Sequence, residues 1–246
     1  MTYCIGLDLA EGFVMLADTR TNAGVDNVST VSKLHVFENE GERLIVAMTA
    51  GNLAVSQSVM SLLAEGEDPD DVTLYTVPSM FKAAELVGAA IRKVFKRDGE
   101  ALKAQGVPFD VSILLGGQIA DRRMRMFLVY SAGNFIETTE DTPFLQIGEH
   151  KYGKPILDRA AKYETTLGDG VKLALISMDS TLRSNMTVGL PIDLLVYRRD
   201  TLRVALRRRI DFDDLYFQNI RELWSEALRN AYRSIPDPTW EDYRAL

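Results

Sequence analysis

Cysteine occurs once in these 246 residues, at position 4, and histidine twice, at positions 35 and 150. A single cysteine excludes an intrachain disulfide and fits a reducing, cytoplasmic setting. Cys4 lies in an apolar run, where a buried, inert thiol is expected. Two histidines far apart in sequence leave no Cys/His cluster for zinc. No apolar run approaches the roughly 20 residues of a membrane-spanning helix, and the first residues lack the basic region and cleavage pattern of a signal peptide. Positive charge is short as well. With 28 Lys and Arg against 35 Asp and Glu, the net charge is −7, which argues against a nucleic-acid partner. Gly116-Gly117 lacks the third glycine of a phosphate cradle and reads as a tight turn.

With 46% hydrophobic and 26% charged residues, the chain can bury one large core. Residues 3–9 and 13–17 read as strands joined through Glu11-Gly12, and 34–37 and 44–48 as a second pair. A helix is expected from Gly51 to about Ala64, with Leu53, Val59, Met60 and Leu63 inward. Another is expected from Ser79 to Lys96, with Phe81, Ala84, Val87, Ile91, Val94 and Phe95 on one apolar face. Asp98-Gly99 weakens helix beyond that point. Strands are expected over 109–115 and 124–130, with short ones at 134–138 and 144–147. Helices are expected over 151–164 and 169–182. A last strand pair, 192–197 and 202–206, lies in a stretch from Arg198 to Arg209 that holds six arginines. That stretch reads as a strand with a charged outer face, or as a subunit contact.

The C-terminal stretch, 212–246, reads as a helical extension, with Leu215, Ile220, Leu223, Trp224, Leu228 and Tyr232 available for packing. Strands and helices alternate in runs, which predicts layered α+β packing in a single domain spanning 1–246.

The chain opens Met1-Thr2. Threonine is small, so removal of the initiator methionine is expected, leaving a hydroxyl and a free α-amine on one residue. Such an amine has an unperturbed pKa of roughly 7.7 to 8.0, suited to act as a general base for its own hydroxyl. Asp18 in Asp18-Thr19-Arg20, and Lys33, follow at short range. Each is weak evidence by itself, since Asp-x-Arg is commonly a turn-stabilising pair and a loop lysine a solvated charge. Their joint placement around one hairpin is the stronger signal.

Thr2 opening a strand, GFVMLADTRTNAG from Gly12, SKLHVF from Ser32 and AMTAGNLAV from Ala47 resemble the catalytic β subunits of proteasomes, members of the N-terminal nucleophile hydrolases. IGEHKYGKPIL from Ile147 and GLPIDLLVY from Gly189 resemble the bacterial branch called Anbu, for ancestral β subunit. The resemblance implies a four-layer αββα sandwich of two antiparallel sheets. It implies Thr2 as nucleophile, Asp18 and Lys33 as groups that orient and tune its amine, Arg20 as the signature arginine, and Gly51 as an oxyanion-hole N–H. It also implies a homo-oligomer, ring or helical, that cleaves peptides without a cofactor or metal. Natural substrate, subunit number and any ATPase partner stay open.

Two departures alter the family pattern. Gly148-Glu149-His150-Lys151 stands where a Gly/Ser cluster is usual, and its charged part reads as a solvated helix N-terminus. A supporting aspartate and serine align with Asn185 and Val188, or, with a one-residue gap, Ser184 and Thr187 enter instead. A non-catalytic assembly protein and a non-peptide amidase are the alternatives. The catalytic reading is favoured because only Met1 precedes Thr2 in the sequence.

Overall fold

The computed structural model describes residues 2–22 and 28–240. Met1, residues 23–27 and residues 241–246 lie outside the described residues. The expected removal of Met1, the end of the GFVMLADTRTNAG motif and the last part of the 212–246 extension therefore fall outside them as well.

β1 (Tyr3–Leu9) and β2 (Gly12–Asp18) form the hairpin expected from their apolar runs. A two-stranded ribbon, β3 (Arg20–Asn22) and β4 (Val28–Thr30), follows. Too short and polar to carry a period-2 signal, it escapes sequence reading. β5 (Leu34–Asn39) and β6 (Arg43–Gly51) make the second hairpin. Two helices come next, α1 (Leu53–Glu65) and α2 (Met80–Ala104). Then come β7 (Val111–Ile119), β8 (Arg125–Val129), β9 (Phe135–Glu137) and β10 (Phe144–Gly148). Helices α3 (Lys154–Ala160) and α4 (Leu167–Ser184), strands β11 (Ile192–Arg198) and β12 (Val204–Ile210), and helix α5 (Leu215–Arg233) complete the order.

The strands form two five-stranded antiparallel sheets, ordered β10-β1-β2-β11-β12 and β5-β6-β7-β8-β9. Successive side chains on a strand point to opposite faces, and the central strands are apolar on both. In β1, Cys4 joins Phe13, Met15, Leu44, Val46 and Leu114 between the sheets. Tyr3, Ile5, Leu7 and Leu9 face outward onto Leu175 and Met178 of α4. The outer face of the second sheet packs Ile45, Ala47, Ile113 and Leu115 against α1 and α2. This is the αββα sandwich: three apolar interfaces separating four layers.

Several local expectations are corrected. Gly116-Gly117 is not a turn but the middle of β7. A Cβ at Gly117 would overlap the Leu44 backbone, and one at Gly116 would press on Met126 and Met15, so both glycines permit close packing inside the sheet. Helix α2 continues past Gly99 to Ala104, with Gly99 lying under the ring of Phe95, one turn earlier in the helix. Leu53, Phe81 and Phe95 are exposed and do not belong to the inner apolar faces. Phe81 packs edge-on against Phe135 instead, and Phe95 against Phe109. The helix expected over 151–164 is confined to Lys154–Ala160. The final strand begins at Val204 and runs through the arginines to Ile210, because Asp200 and Leu202 adopt left-handed turn conformations.

Helix α5 starts at Asp214, whose carboxylate accepts the Phe217 N–H at 2.9 Å as an N-cap. It buries Phe217 and Ile220 against the first sheet's outer core. Leu215, Leu223, Leu228 and Tyr232 are exposed, contrary to the packing expected of them. The helix is also pinned electrostatically: the buried Asp179 of α4 accepts Arg221 Nε at 2.7 Å and Arg183 Nε at 3.0 Å. Asp179→Ala is expected to loosen α5 by about 1–2 kcal/mol, because both guanidinium groups are partly exposed and regain water. Hydrogen exchange should then show faster exchange of α5 amides with the amides of β1 and β2 unchanged. Equal loss of protection in both would count against this assignment.

Candidate active site

The hairpin β1–β2 brings its first and last residues side by side. Tyr3 N–H donates to Asp18 Oδ1 at 3.0 Å, which fixes the aspartate beside the start of β1. Asp18 is fully buried and Lys33 is 4% exposed. Lys33 Nζ donates to Asp18 Oδ1 at 2.6 Å and to the Arg20 carbonyl at 2.7 Å. The remaining Asp18 oxygen accepts the N–H of Arg20 at 3.2 Å and of Gly189 at 3.3 Å. Burial pushes the Asp18 carboxyl above the ordinary carboxylate range, and the Lys33 ammonium and these N–H donors oppose that rise. A carboxylate has about four acceptor positions. Those of Asp18 are filled by Lys33 and by three backbone N–H groups.

Thr2, 9% exposed, lies at the end of β1 on a cleft of about 840 Å³ whose walls include Arg20, Gly51, Leu53, Val107 and Gly148. Gly51 has φ +107°, and a Cβ there would collide with the Asp110 backbone. Only glycine allows β6 to pass this wall of the cleft. Gly148, φ +78°, is pressed against the Thr2 carbonyl in the same manner. The next residue, Glu149, donates its N–H to the Thr2 carbonyl at 2.6 Å. Arg20 Nη1 reaches the Met186 carbonyl at 2.8 Å and so holds the loop after α4 over the ion pair.

Of the residues singled out from sequence, Asp18, Lys33 and Arg20 are therefore joined directly, and Thr2, Arg20 and Gly51 share one cleft. Asn185 is buried at the C-terminal cap of α4, whereas Ser184, the last residue of that helix, is exposed and apart from the site. Thr187 donates to Asn185 Oδ1 through both its N–H, at 2.9 Å, and its hydroxyl, at 2.6 Å. Val188 belongs to the apolar core.

Glu149 corrects the expectation for its segment. It is 7% exposed, not solvated, and accepts Asn185 Nδ2 at 3.0 Å, while α3 starts only at Lys154. The signal that points to it is Gly148, which ends a strand and so turns the next residue inward. Gly189, 171 residues from Asp18, carries no sequence signal for its contact. Among the described residues no cluster of His, Cys, Asp or Glu is arranged to hold a metal ion, and no helix is long and apolar enough to cross a membrane.

No protein-family model matches the chain. The solved structure of an Anbu (Gly-1) mutant from Hyphomicrobium sp. strain MC1 superposes with a TM-score of 0.91 at 49% identity, covering 98% of this chain and 100% of the other. The chain belongs to the Anbu family. Anbu from Yersinia bercovieri is 46% identical, with a TM-score of 0.90 over 96% of this chain and 99% of that one. A structure described as a helical assembly of the Anbu complex from Pseudomonas aeruginosa is 47% identical, with a TM-score of 0.91 over 96% and 98%. Among characterised proteins, proteasome subunit beta 2 of Pyrobaculum calidifontis is 27% identical over 199 residues, which is 81% of this chain and 90% of that subunit. This Anbu chain therefore has the N-terminal nucleophile hydrolase sandwich, with the polar cluster at the mouth between its sheets.

Proposed function

We propose that this Anbu chain is a threonine-type hydrolase that cleaves amide bonds of peptides through an ester on Thr2. The observation that carries the reading is the buried Lys33–Asp18 pair, 2.6 Å apart, at the start of β1 on a cleft that Thr2 lines. With Met1 removed, the Thr2 amine takes the proton of its own hydroxyl, and the oxygen attacks the substrate carbonyl. The Lys33 ammonium disfavours protonation of that amine and so keeps it available as base. The backbone at Gly51 faces the developing oxyanion; one such donor is worth about 3 kcal/mol of barrier. The amine returns its proton to the leaving amine. The same base then takes a proton from the water that attacks the ester, which regenerates the hydroxyl and releases the acid.

The reading extends to assembly. Two features support a homo-oligomer, ring or helical: the helical assembly named for the Pseudomonas aeruginosa relative, and the exposed apolar residues of α5. The lone buried Cys4 supports a cytoplasmic setting.

Intact-mass spectrometry with and without a peptide carrying a threonine-reactive electrophile tests the catalytic claim. The expected result is a chain lacking Met1 that gains one adduct, mapped to Thr2. Retained Met1 with no adduct would sink it and leave an assembly protein; a chain that lacks Met1 yet gains no adduct from the peptide would favour a non-peptide amidase.

A further inference from the structure

An amine that accepts a proton in each half-reaction becomes an ammonium, and a partly buried ammonium needs a counter-charge. Asp18 is badly placed to supply it, because Lys33 and the N–H groups of Tyr3, Arg20 and Gly189 already occupy its oxygens. A second buried carboxylate stands on the other side of β1. β10 pairs with β1 in the register Tyr3↔Gly148, and the Glu149 N–H continues this ladder onto the Thr2 carbonyl at 2.6 Å. Glu149 therefore stands across the ladder from Thr2.

The orientation of the Glu149 side chain is fixed from behind. Thr187 saturates Asn185 Oδ1 through its N–H and its hydroxyl, so the Asn185 amide turns its Nδ2 toward Glu149 Oε2, 3.0 Å away. Among the described residues the other oxygen, Oε1, has only the exposed Lys151 ammonium at 3.5 Å, a contact weakened by solvent. Glu149 thus keeps free acceptor capacity in a buried position where Asp18 has none.

We propose that Glu149 is a positioning residue for the Thr2 amine: its N–H fixes the threonine backbone, and its carboxylate, aimed by Asn185, compensates the ammonium formed during turnover. This rests on the hydrolase reading above for its role in turnover, but not for its electrostatic content. The charged groups that face this corner are Asp18 from β2, Arg20 from β3, Lys33 ahead of β5, Asp110 ahead of β7, and Glu149 and Lys151 after β10. Lys33 and Arg20 oppose protonation of the amine, while Glu149 favours it.

The test measures the amine directly. The full chain, prepared with Thr2 as its first residue, is labelled competitively at its α-amine across pH 5 to 10, with the Thr2 label quantified by mass spectrometry. Glu149→Gln keeps an acceptor for Asn185 but removes the charge, so the labelling midpoint is expected to fall by about 0.5 unit or more. Glu149→Asp should restore part of the shift, and Asn185→Ala should lower the midpoint less than Glu149→Gln does. A merely structural role would lower the melting temperature without moving the midpoint. An unchanged midpoint in Glu149→Gln overturns the proposal; if that variant does not fold, an unchanged midpoint in Asn185→Ala overturns it. A moved midpoint in a chain whose Thr2 gains no adduct would remove the hydrolase reading and leave the electrostatic pairing standing.

Discussion

Thr2→Ala, with the chain otherwise intact, is expected to abolish peptide hydrolysis and adduct formation. The loss should reach roughly 10⁴-fold or more, as for removal of the nucleophile in other hydrolases that form acyl-enzymes. The argument rests on chemistry, not on packing. The contact that anchors Thr2, its carbonyl accepting the Glu149 N–H, belongs to the backbone and survives the substitution. The melting temperature should therefore stay within a few degrees, which separates a missing nucleophile from a broken site. Thr2→Ser, which keeps both hydroxyl and amine, should retain adduct formation. Hydrolysis by Thr2→Ala at the parent rate would remove Thr2 from the mechanism.

Lys33→Ala is expected to cost more in stability than any surface change. It strips the cation from a fully buried carboxylate, and breaking a buried pair from one side typically costs about 3–5 kcal/mol. The sign of its pH dependence follows from Asp18, whose carboxyl burial already pushes up. Without the ammonium, the folded-state value rises further above the unfolded one. The stability of the variant is then fullest below the unfolded value and is lost as pH rises through the folded value. The gap in urea midpoint between parent and Lys33→Ala should accordingly narrow from pH 7 to pH 5. A gap that widened toward acid would mean that Asp18 is not the group left unpaired. Lys33→Met, which fills the volume without charge, should follow the same trend with a smaller total loss.

The two N-terminal hairpins and their polar residues were legible because each combines a strong period-2 apolar run with a turn signal. Asp18, Lys33 and Gly51 lie within those hairpins or at their ends, so the same signals reach most of the candidate site. What escaped reading was decided by neighbours distant in sequence. Gly116-Gly117 has the composition of a turn, yet the Leu44 backbone and Met126 demand bare backbone inside a strand there. Glu149-His150-Lys151 has the composition of a solvated helix start, yet Asn185, 36 positions on, draws the glutamate inward. In α5 the apolar residues fit a buried face, but only Phe217 and Ile220 are buried.

The order of strands in the first sheet also sets when this site comes into being. β1 and β2 emerge during synthesis well before their sheet partners β10 and β11, drawn from residues 144–198. Asp18 waits for Gly189, and the Thr2 carbonyl waits for Glu149. A growing chain on the ribosome therefore carries its threonine for most of translation without the partners that hold it. Closure of such long-range pairings is slow compared with local hairpin formation. Thr2 becomes organised only once the second half of the sequence has been made and docked, so under the proposed hydrolase function reactivity would be withheld from the unfinished chain and its neighbours.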